Sequence, residues 1–405
     1  MSQSGKVAGR LHVLTITPFF PSNQNEVNGC FIAEPIEQLQ QFGVDSTVIA
    51  VAPMYYPRQE PSATSTAEWV RYPQVPGNLG LATAGKLLYT RLLQRVRNLH
   101  RARPIDVIHA HAALPCGHAS ALLSKRLNIP FVVTLHGLDV FNTCFLGGIP
   151  AAWRRRVSMD VYRSAHTVVC ISGKVQEVLQ SGMPMQMQIR STIVHNGVNP
   201  TLFSPDPLAC RGSAPAKIEA AVGPFDARIL MVGNLQRSKG HELVLRTLAT
   251  LKPSFPHLHC RIIGEGPDRT RFEDLARELV ISQQVEFVGR QSRAGVADAM
   301  RHCSLFVLPS SNEGLGCVYL EAMSCGKPVI ACCGQGIDDV IEHGKNGWLI
   351  PADGLEPLVQ GLTTLLGSPE MCARIGAAAR QTILEKLTLS QQAQHLVRVY
   401  RHASA

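Results

Sequence analysis

The segment Pro309-Ser-Ser-Asn-Glu313-Gly-Leu-Gly316-Cys-Val-Tyr-Leu-Glu321-Ala-Met-Ser-Cys-Gly326-Lys-Pro328-Val-Ile-Ala331 reads as a strand end, a glycine-containing loop, a helix and a new strand. An apolar run at 304–308 stops just before it, helical character starts near Leu315, and a second apolar run occupies 328–331. Short apolar strands separated by a helix make a parallel crossover unit. Gly314 and Gly316 let a ligand approach the backbone closely. The start of the helix offers free amides and a partial positive charge, which suits a phosphate. Glu321 lies about two turns in, ~9 Å along the axis from Leu315, and Glu313 precedes the helix. Two carboxylates at opposite ends of an anion-binding helix start can hold hydroxyls on either side of a diphosphate.

The same alternation runs along the rest of the chain. Strands are expected at 11–16, 46–51, 105–109, 130–135, 167–171 and 191–194, with helical patterns between them, such as 31–42, 80–102 and 116–127. Residues 199–226 contain Pro200, Pro205, Pro207, Pro215, Gly223 and Pro224 without a sustained period, which reads as a linker. The pattern then restarts, with strands at 228–232, 259–263, 285–288, 304–308, 328–331 and 347–350. Helices are expected at 239–252, 269–280, 315–325, 355–366, 370–386 and 389–403. The reading is therefore α/β: two Rossmann-like, doubly wound domains facing across a cleft. Their limits are 1–200, a linker at 201–226, a second domain at 227–385, and a C-terminal helix at 386–405 that packs back toward the first domain.

Composition sets the outer bounds. The 405 residues are 45% hydrophobic and 17% charged, which excludes a disordered or fibrous chain. No apolar run is long enough to span a bilayer. The net charge of +9 is unevenly spread: residues 1–200 carry 18 Lys and Arg against 10 Asp and Glu, and residues 201–405 carry 21 against 20. The first half is thus expected to meet something anionic. Arg91, Arg95, Arg97, Arg101 and Arg103 lie on one expected helix with an apolar stripe of Leu88, Leu92, Val96 and Leu99. That face is either solvated or turned to an anionic membrane or acceptor, and Arg154-Arg155-Arg156 beside Trp153 adds to it. Nucleic acid is not the expected partner, because aromatic residues are only 6% and do not interleave with the basic ones.

Other motifs carry less. The 12 cysteines show no Cys-x-x-Cys, so buried free thiols in a reducing compartment are expected rather than zinc ligands or a disulfide framework. Gly80-Leu-Ala-Thr-Ala-Gly85-Lys86-Leu87 lacks both the Ser or Thr of a P-loop and a preceding strand. Gly264-Glu-Gly266 has Arg269 where a dinucleotide fingerprint needs its third glycine. His109-Ala-His111 has no third ligand nearby, and Asp338-Asp339 is adjacent rather than spaced, so no metal site is assigned.

The Pro309–Ala331 segment resembles glycosyltransferase family 4, the retaining enzymes of GT-B fold. Glu313, Glu321, Ala322, Met323, Gly326, Pro328 and Val329 match that family's signature of Glu, seven residues, Glu, then Ala-Met-x-x-Gly-x-Pro-Val. Met231-Val-Gly233-Asn-Leu-Gln-Arg237-Ser-Lys239-Gly240 resembles its phosphate-binding strand and loop. Val285-Glu-Phe287-Val-Gly289, Gly334-Gln-Gly336-Ile-Asp-Asp339 and Gly344-Lys-Asn-Gly347 resemble later strand ends and turns. In the first half, Asp106-Val-Ile-His109-Ala-His111, Thr134-Leu-His136-Gly-Leu-Asp139 and His195-Asn-Gly197-Val198 match patterns of its acceptor domain. The likeness covers about residues 10–390.

The resemblance implies a nucleotide-sugar donor domain in the second half and an acceptor domain in the first. Lys239 is expected on the donor diphosphate, with Arg237 a second cation. Glu321 is expected on the ribose hydroxyls and Glu313 on those of the transferred sugar. Gly233, Asn234, Gly314 and the amides of Leu315, Gly316 and Cys317 should line the donor, and Val288 the base. His136 is expected near the sugar, and Gly29 should let the first loop approach the phosphate. Family members often carry Arg where Asn234 stands, and Asn28-Gly29 replaces a common Gly-Gly. No nucleophile is evident, in keeping with the front-face retaining mechanism inferred for the family, and no metal or other cofactor is implied. The implied function is transfer of a hexose from a UDP- or GDP-sugar to a lipid-linked or polysaccharide acceptor in cell-surface glycan synthesis. The implied place is the cytoplasm, peripheral to the inner membrane face. A non-catalytic nucleotide-sugar-binding relative and a UDP-sugar epimerase of the same fold are the alternatives.

Overall fold

Leu11–Thr17, a run of apolar and β-branched residues buried along nearly its whole length, forms β1, an interior strand of the first sheet. The computed structural model describes residues 10–23, 25–60, 67–76, 80–137, 139–141, 149–183, 188–205, 228–352 and 354–405. Strands β2 (Val44–Pro53), β3 (Glu68–Tyr72), β4 (Val107–His111), β5 (Phe131–Leu135), β6 (Thr167–Cys170) and β7 (Ser191–Ile193) follow. They pair in the order β3-β2-β1-β4-β5-β6-β7, every pairing parallel. A second sheet is built from β8 (Arg228–Val232), β9 (His259–Ile263), β10 (Val285–Gly289), β11 (Leu305–Leu308), β12 (Val329–Cys332) and β13 (Trp348–Ile350). Its order is β10-β9-β8-β11-β12-β13, again all parallel. The chain is thus α/β with two Rossmann-like sheets, and each order reverses once, between β1 and β4 and between β8 and β11.

The chain divides into two compact units, one holding the residues up to Asn196 together with Leu389–Ala405, the other Gly197–Thr388. The second unit therefore begins at Gly197 rather than after 200. Of the residues read as a linker, 201–205 lie in this unit, and 206–226 lie outside the described residues. Its far end is fixed by an amide of Val198 donating to the Leu387 carbonyl at 2.9 Å and a bridge from Val198 to Thr388. Beyond it the helix Leu389–Ser404 belongs to the first unit. Its Leu396, Val397 and Tyr400 share a core with Val13, Val107, Val132 and Val169 from the sheet.

Every strand read from the sequence is present, with ends displaced by two residues at most. Among the described residues a further strand and three α-helices not named above are present. β3 is a short edge strand whose Glu68-Trp-Val-Arg-Tyr72 mixes charge with aromatics. The helices Gly173–Ser181 and Arg293–His302 are each started by a serine, Ser172 and Ser292, whose hydroxyl accepts the amide three residues on. The helix Ile149–Ser164 carries the three consecutive arginines, which break its apolar stripe. Gly85, in the P-loop-like stretch, is a packing position: a Cβ there would meet the His118 side chain at 2.5 Å.

Candidate functional site

In open parallel sheets, loops leaving the carboxyl ends of two neighbours diverge where the strand order reverses, and ligands bind in that crevice. In the second unit the reversal falls between β8 and β11, so the loops 233–240 and 309–316 meet there. They touch through backbone. The Ser311 amide donates to the Ser238 carbonyl at 2.8 Å, and Ser310 Oγ lies 3.2 Å from the same oxygen. Gly240 takes φ +75, and a Cβ on it would lie 2.2 Å from the Pro309 carbonyl oxygen. Only glycine closes that contact.

This junction brings two expected site residues together. Lys239 Nζ donates to Glu313 Oε2 in a half-buried ion pair. Ser310 Oγ donates to the same carboxylate oxygen at 3.0 Å, and the Glu313 amide donates to Gln335 Oε1 at 2.9 Å. Gly316, at φ +75, opens the helix Cys317–Ser324, and Tyr319 Oη donates to the Leu308 carbonyl at 2.7 Å, pinning the helix to the end of β11. Gly314 and Leu315 are buried, and Gly316 and Cys317 half-buried, around that start. Gly233 closes β8, and a Cβ on Gly264 would lie 1.9 Å from its carbonyl oxygen. Asn234 is exposed, with its carbonyl accepting the Gln236 amide at 2.8 Å. The exposed Arg237 is anchored through its amide, which donates to Asp268 Oδ2 at 3.0 Å. Val288 lies apart from this cluster, in a register shift at the carboxyl end of β10, two strands beyond β8.

Glu321, buried in the same helix, pairs with a residue the sequence did not suggest. Arg293 opens the helix Arg293–His302, donates to Glu321 Oε1, and sits 4.8 Å above the Phe203 ring. Nothing in the spacing of Arg293 marks it. The Ser292 cap that aims it is the one readable signal.

The first unit holds Gly29 and His136. Gly29, at φ +75, opens the helix Cys30–Leu39, and its Cβ position is 2.4 Å from the Phe19 backbone, so the loop after β1 folds tightly on itself. His136 follows β5, edge-on to Phe31 and Phe19. Its Nε2 meets His111 Nδ1 at 3.0 Å, and its amide donates to Asp139 Oδ1 at 3.1 Å. Behind it, His109 bonds Tyr400 Oη and Thr134 Oγ1, each at 2.7 Å. Burial lowers the His109 pKa to about 3 and that of His136 to about 4, and holds His111 well below its ordinary value. The rings are neutral at pH 7, so across the His111–His136 contact one nitrogen donates and the other accepts. Burial pushes the Asp139 carboxyl up to about 6. Among the described residues no group of three or more His, Cys, Asp or Glu is placed to hold a metal ion.

The basic helix Leu81–Ala102 buries Leu88, Leu92 and Val96 and exposes Arg91, Arg95 and Arg101. Arg95 pairs with Glu68 at 2.7 Å, and Arg103, just past the helix, with Asp45 at 2.5 Å. The Arg154–Arg156 run does not form one basic face. Arg155 and Arg156 are exposed, whereas Arg154 turns inward and is buried, because an α-helix spreads consecutive residues around its axis. No described helix is long and apolar enough to cross a membrane.

Sheet topology and site together define a glycosyltransferase of GT-B type, and known proteins agree. A model described as Glycosyltransferase Family 4 matches residues 31–202, and one described as Glycosyl transferases group 1 matches residues 221–382. The chain belongs to glycosyltransferase family 4. It is 28% identical over 377 residues to a putative teichuronic acid biosynthesis glycosyltransferase, TuaC, of Bacillus subtilis, covering 87% of this chain and 88% of that one. It is 28% identical over 365 residues to a D-inositol 3-phosphate glycosyltransferase of Stackebrandtia nassauensis, covering 85% and 80%. Among solved structures it resembles sucrose-phosphate synthase of Thermosynechococcus elongatus, with a TM-score of 0.76, 19% identity and coverage of 97% and 98%. Anabaena HepE, solved with UDP and glucose, gives a TM-score of 0.72, 19% identity and coverage of 96% and 99%.

Proposed function

We propose that the chain is a retaining, metal-independent hexosyltransferase that moves a sugar from a UDP- or GDP-sugar to a glycan or lipid-linked acceptor in cell-surface glycan synthesis. The observation that carries this reading is the Lys239–Glu313 pair, held beside the Gly316 helix start where the strand order of the second unit reverses. Breaking a glycosyl–phosphate bond leaves growing negative charge on the diphosphate. Lys239 and the amides at 315–317 supply fixed positive charge for it without a metal ion. Glu313, already a hydrogen-bond acceptor, binds hydroxyls of the transferred sugar, and Glu321 binds those of the ribose. Gly233, Asn234, Arg237, Gly314 and Val288 complete the donor side of the proposal. Gly29 and His136 are the residues of the first unit assigned to it. The relatives' printed roles in teichuronic acid synthesis and inositol phosphate glycosylation support a polyhydroxylated or anionic acceptor. The exposed Arg91 and Arg101 support a peripheral encounter with an anionic membrane at its cytoplasmic face.

Thermal shifts of the full chain with UDP, GDP, ADP and CMP, repeated on Lys239→Ala, test the donor site. One nucleotide should raise the melting temperature, and the variant should lose that rise. The selected nucleotide's sugars are then assayed for turnover with and without EDTA, and the product anomer is read by NMR. Binding without turnover of any sugar would move the reading to a non-catalytic relative. Interconversion of the sugar without acceptor would move it to an epimerase.

A further inference from the structure

Lys239, the cation assigned to the donor diphosphate, has an anion of the protein's own beside it. Its Nζ donates to Glu313 Oε2, with the two side chains 24% and 16% exposed. Glu313 is held in that place through both backbone and side chain. Ser310, fully buried, donates from Oγ to the same carboxylate oxygen at 3.0 Å. The Glu313 amide donates to Gln335 Oε1 at 2.9 Å, and its carbonyl accepts the Gly336 amide at 3.2 Å. The loop that carries Lys239 is tied to the same place, the Ser238 carbonyl accepting the Ser311 amide at 2.8 Å. A carboxylate gripped in this way stays next to Lys239 when a second anion arrives.

That geometry weakens Lys239 as an anion site. A carboxylate in contact with an ammonium cancels most of its field at the distance from which a phosphate approaches. At close range the phosphate oxygens and the carboxylate repel, because a nearby like charge disfavours a second one. A bare terminal phosphate brings only acceptors, as Glu313 does, so nothing offsets the repulsion. A sugar on that phosphate changes the balance. Both side-chain contacts to Glu313 go to Oε2, which leaves Oε1 with acceptor capacity. Sugar hydroxyls donate to it, and a hydrogen bond to a carboxylate is stronger than one between neutral groups.

We propose that Glu313 sets the preference of this site for a sugar-bearing diphosphate over the nucleoside diphosphate left after transfer. It withholds part of Lys239 from any diphosphate, and only the sugar-bearing one recovers the loss through Oε1. Once the sugar has moved to the acceptor, its hydroxyls no longer bridge the two anions, and the spent nucleotide is released. The inference rests on the reading of Lys239 and Glu313 as donor-site residues. It gives one carboxylate two opposed effects, attraction for the sugar and repulsion of the phosphates.

Isothermal titration of the full chain with pyrophosphate, UDP, UDP-glucose, GDP and GDP-mannose tests it, on the parent, Glu313→Gln and Glu313→Ala. Both variants should bind pyrophosphate, and whichever of UDP and GDP the parent binds, at least about tenfold more tightly, the effect of one pKa unit of charge interaction. The matching nucleotide sugar should gain less or lose affinity, so the preference for it should shrink or reverse. A residue that only shaped the loop would weaken all of these ligands together. Asp274→Asn, which removes an equal charge from the exposed pair with Arg277, should leave every affinity within about twofold. The proposal is overturned if neither Glu313 variant binds pyrophosphate more tightly than the parent, if the preference for the nucleotide sugar survives in both, or if Asp274→Asn gives an equal gain. Tighter pyrophosphate with no nucleotide bound by any form would sink the donor reading and leave the opposition of Glu313 to anions at Lys239 standing.

Discussion

Removing either partner of the Glu321–Arg293 pair should destabilise the second unit more than removing both. The two side chains are 5% and 19% exposed, so solvent screens little of their attraction. Arg293→Met removes the cation paired with a buried carboxylate, and Glu321→Leu removes a carboxylate from the guanidinium over Phe203. Breaking a buried pair in this way costs about 3–5 kcal/mol, whereas replacing both partners by apolar groups is close to neutral. The double variant should therefore be more stable than the sum of the singles by at least ~2 kcal/mol. Urea unfolding followed by the fluorescence of Trp348, in a Trp69→Phe, Trp153→Phe background, isolates the second unit. Single losses below ~1 kcal/mol, as for surface pairs, or additivity within ~0.5 kcal/mol would refute the claim that the two charges depend on one another.

Other tests use different parts of the molecule. Gly264→Ala places a Cβ 1.9 Å from the Gly233 carbonyl oxygen. It should lower the stability of the second unit by more than ~3 kcal/mol, whereas Gly43→Ala, at φ +77 and in open space, should lose only ~1 kcal/mol in chemical denaturation. Stability should fall on acidification from about pH 7 to about pH 5, by up to ~1.4 kcal/mol per pH unit for each buried histidine. The unfolded rings take up protons near 6.5, while folded His136 resists to about 4 and His109 to about 3, so the unfolded state binds more protons as pH drops. Asp139, raised to about 6, opposes one of these rings over the same window. A melting temperature that stays level or rises on acidification would contradict this. Tyr400→Phe removes the partner of His109 Nδ1 and should lower first-unit stability by ~1–3 kcal/mol, measured by urea titration.

The strands and the donor-side cluster were legible because they rest on local patterns. Short β-branched runs announce buried parallel strands, and the glycine at 240 marks a place where backbone approaches backbone. Lys239 and Glu313 lie 74 residues apart in sequence. Their junction is predictable only through the family resemblance, since no spacing rule links the ends of β8 and β11. Arg293 escaped because its importance comes from Phe203 and Glu321, both remote in sequence. Arg154 was misread for a related reason. In a run of three arginines, charge suggests a surface, and only the helix's rotation turns one of them inward. β3 was passed over because an edge strand needs apolar residues on few positions, and Glu68 and Arg71 obscured its alternation.

The helix Leu389–Ser404 imposes an order on synthesis. Tyr400, Leu396 and Val397 cover apolar residues of β1, β4 and β5 that emerge from the ribosome far earlier. At ~5–20 residues per second, the stretch between Asn196 and Leu389 takes roughly 10–40 s to make. During that interval the first sheet lacks its last cover, while the second unit, continuous in sequence, can close as soon as its own residues have emerged. The nascent first unit is therefore a natural client for a chaperone. Fusions or truncations that disturb the final helix should harm the half of the molecule that was translated first.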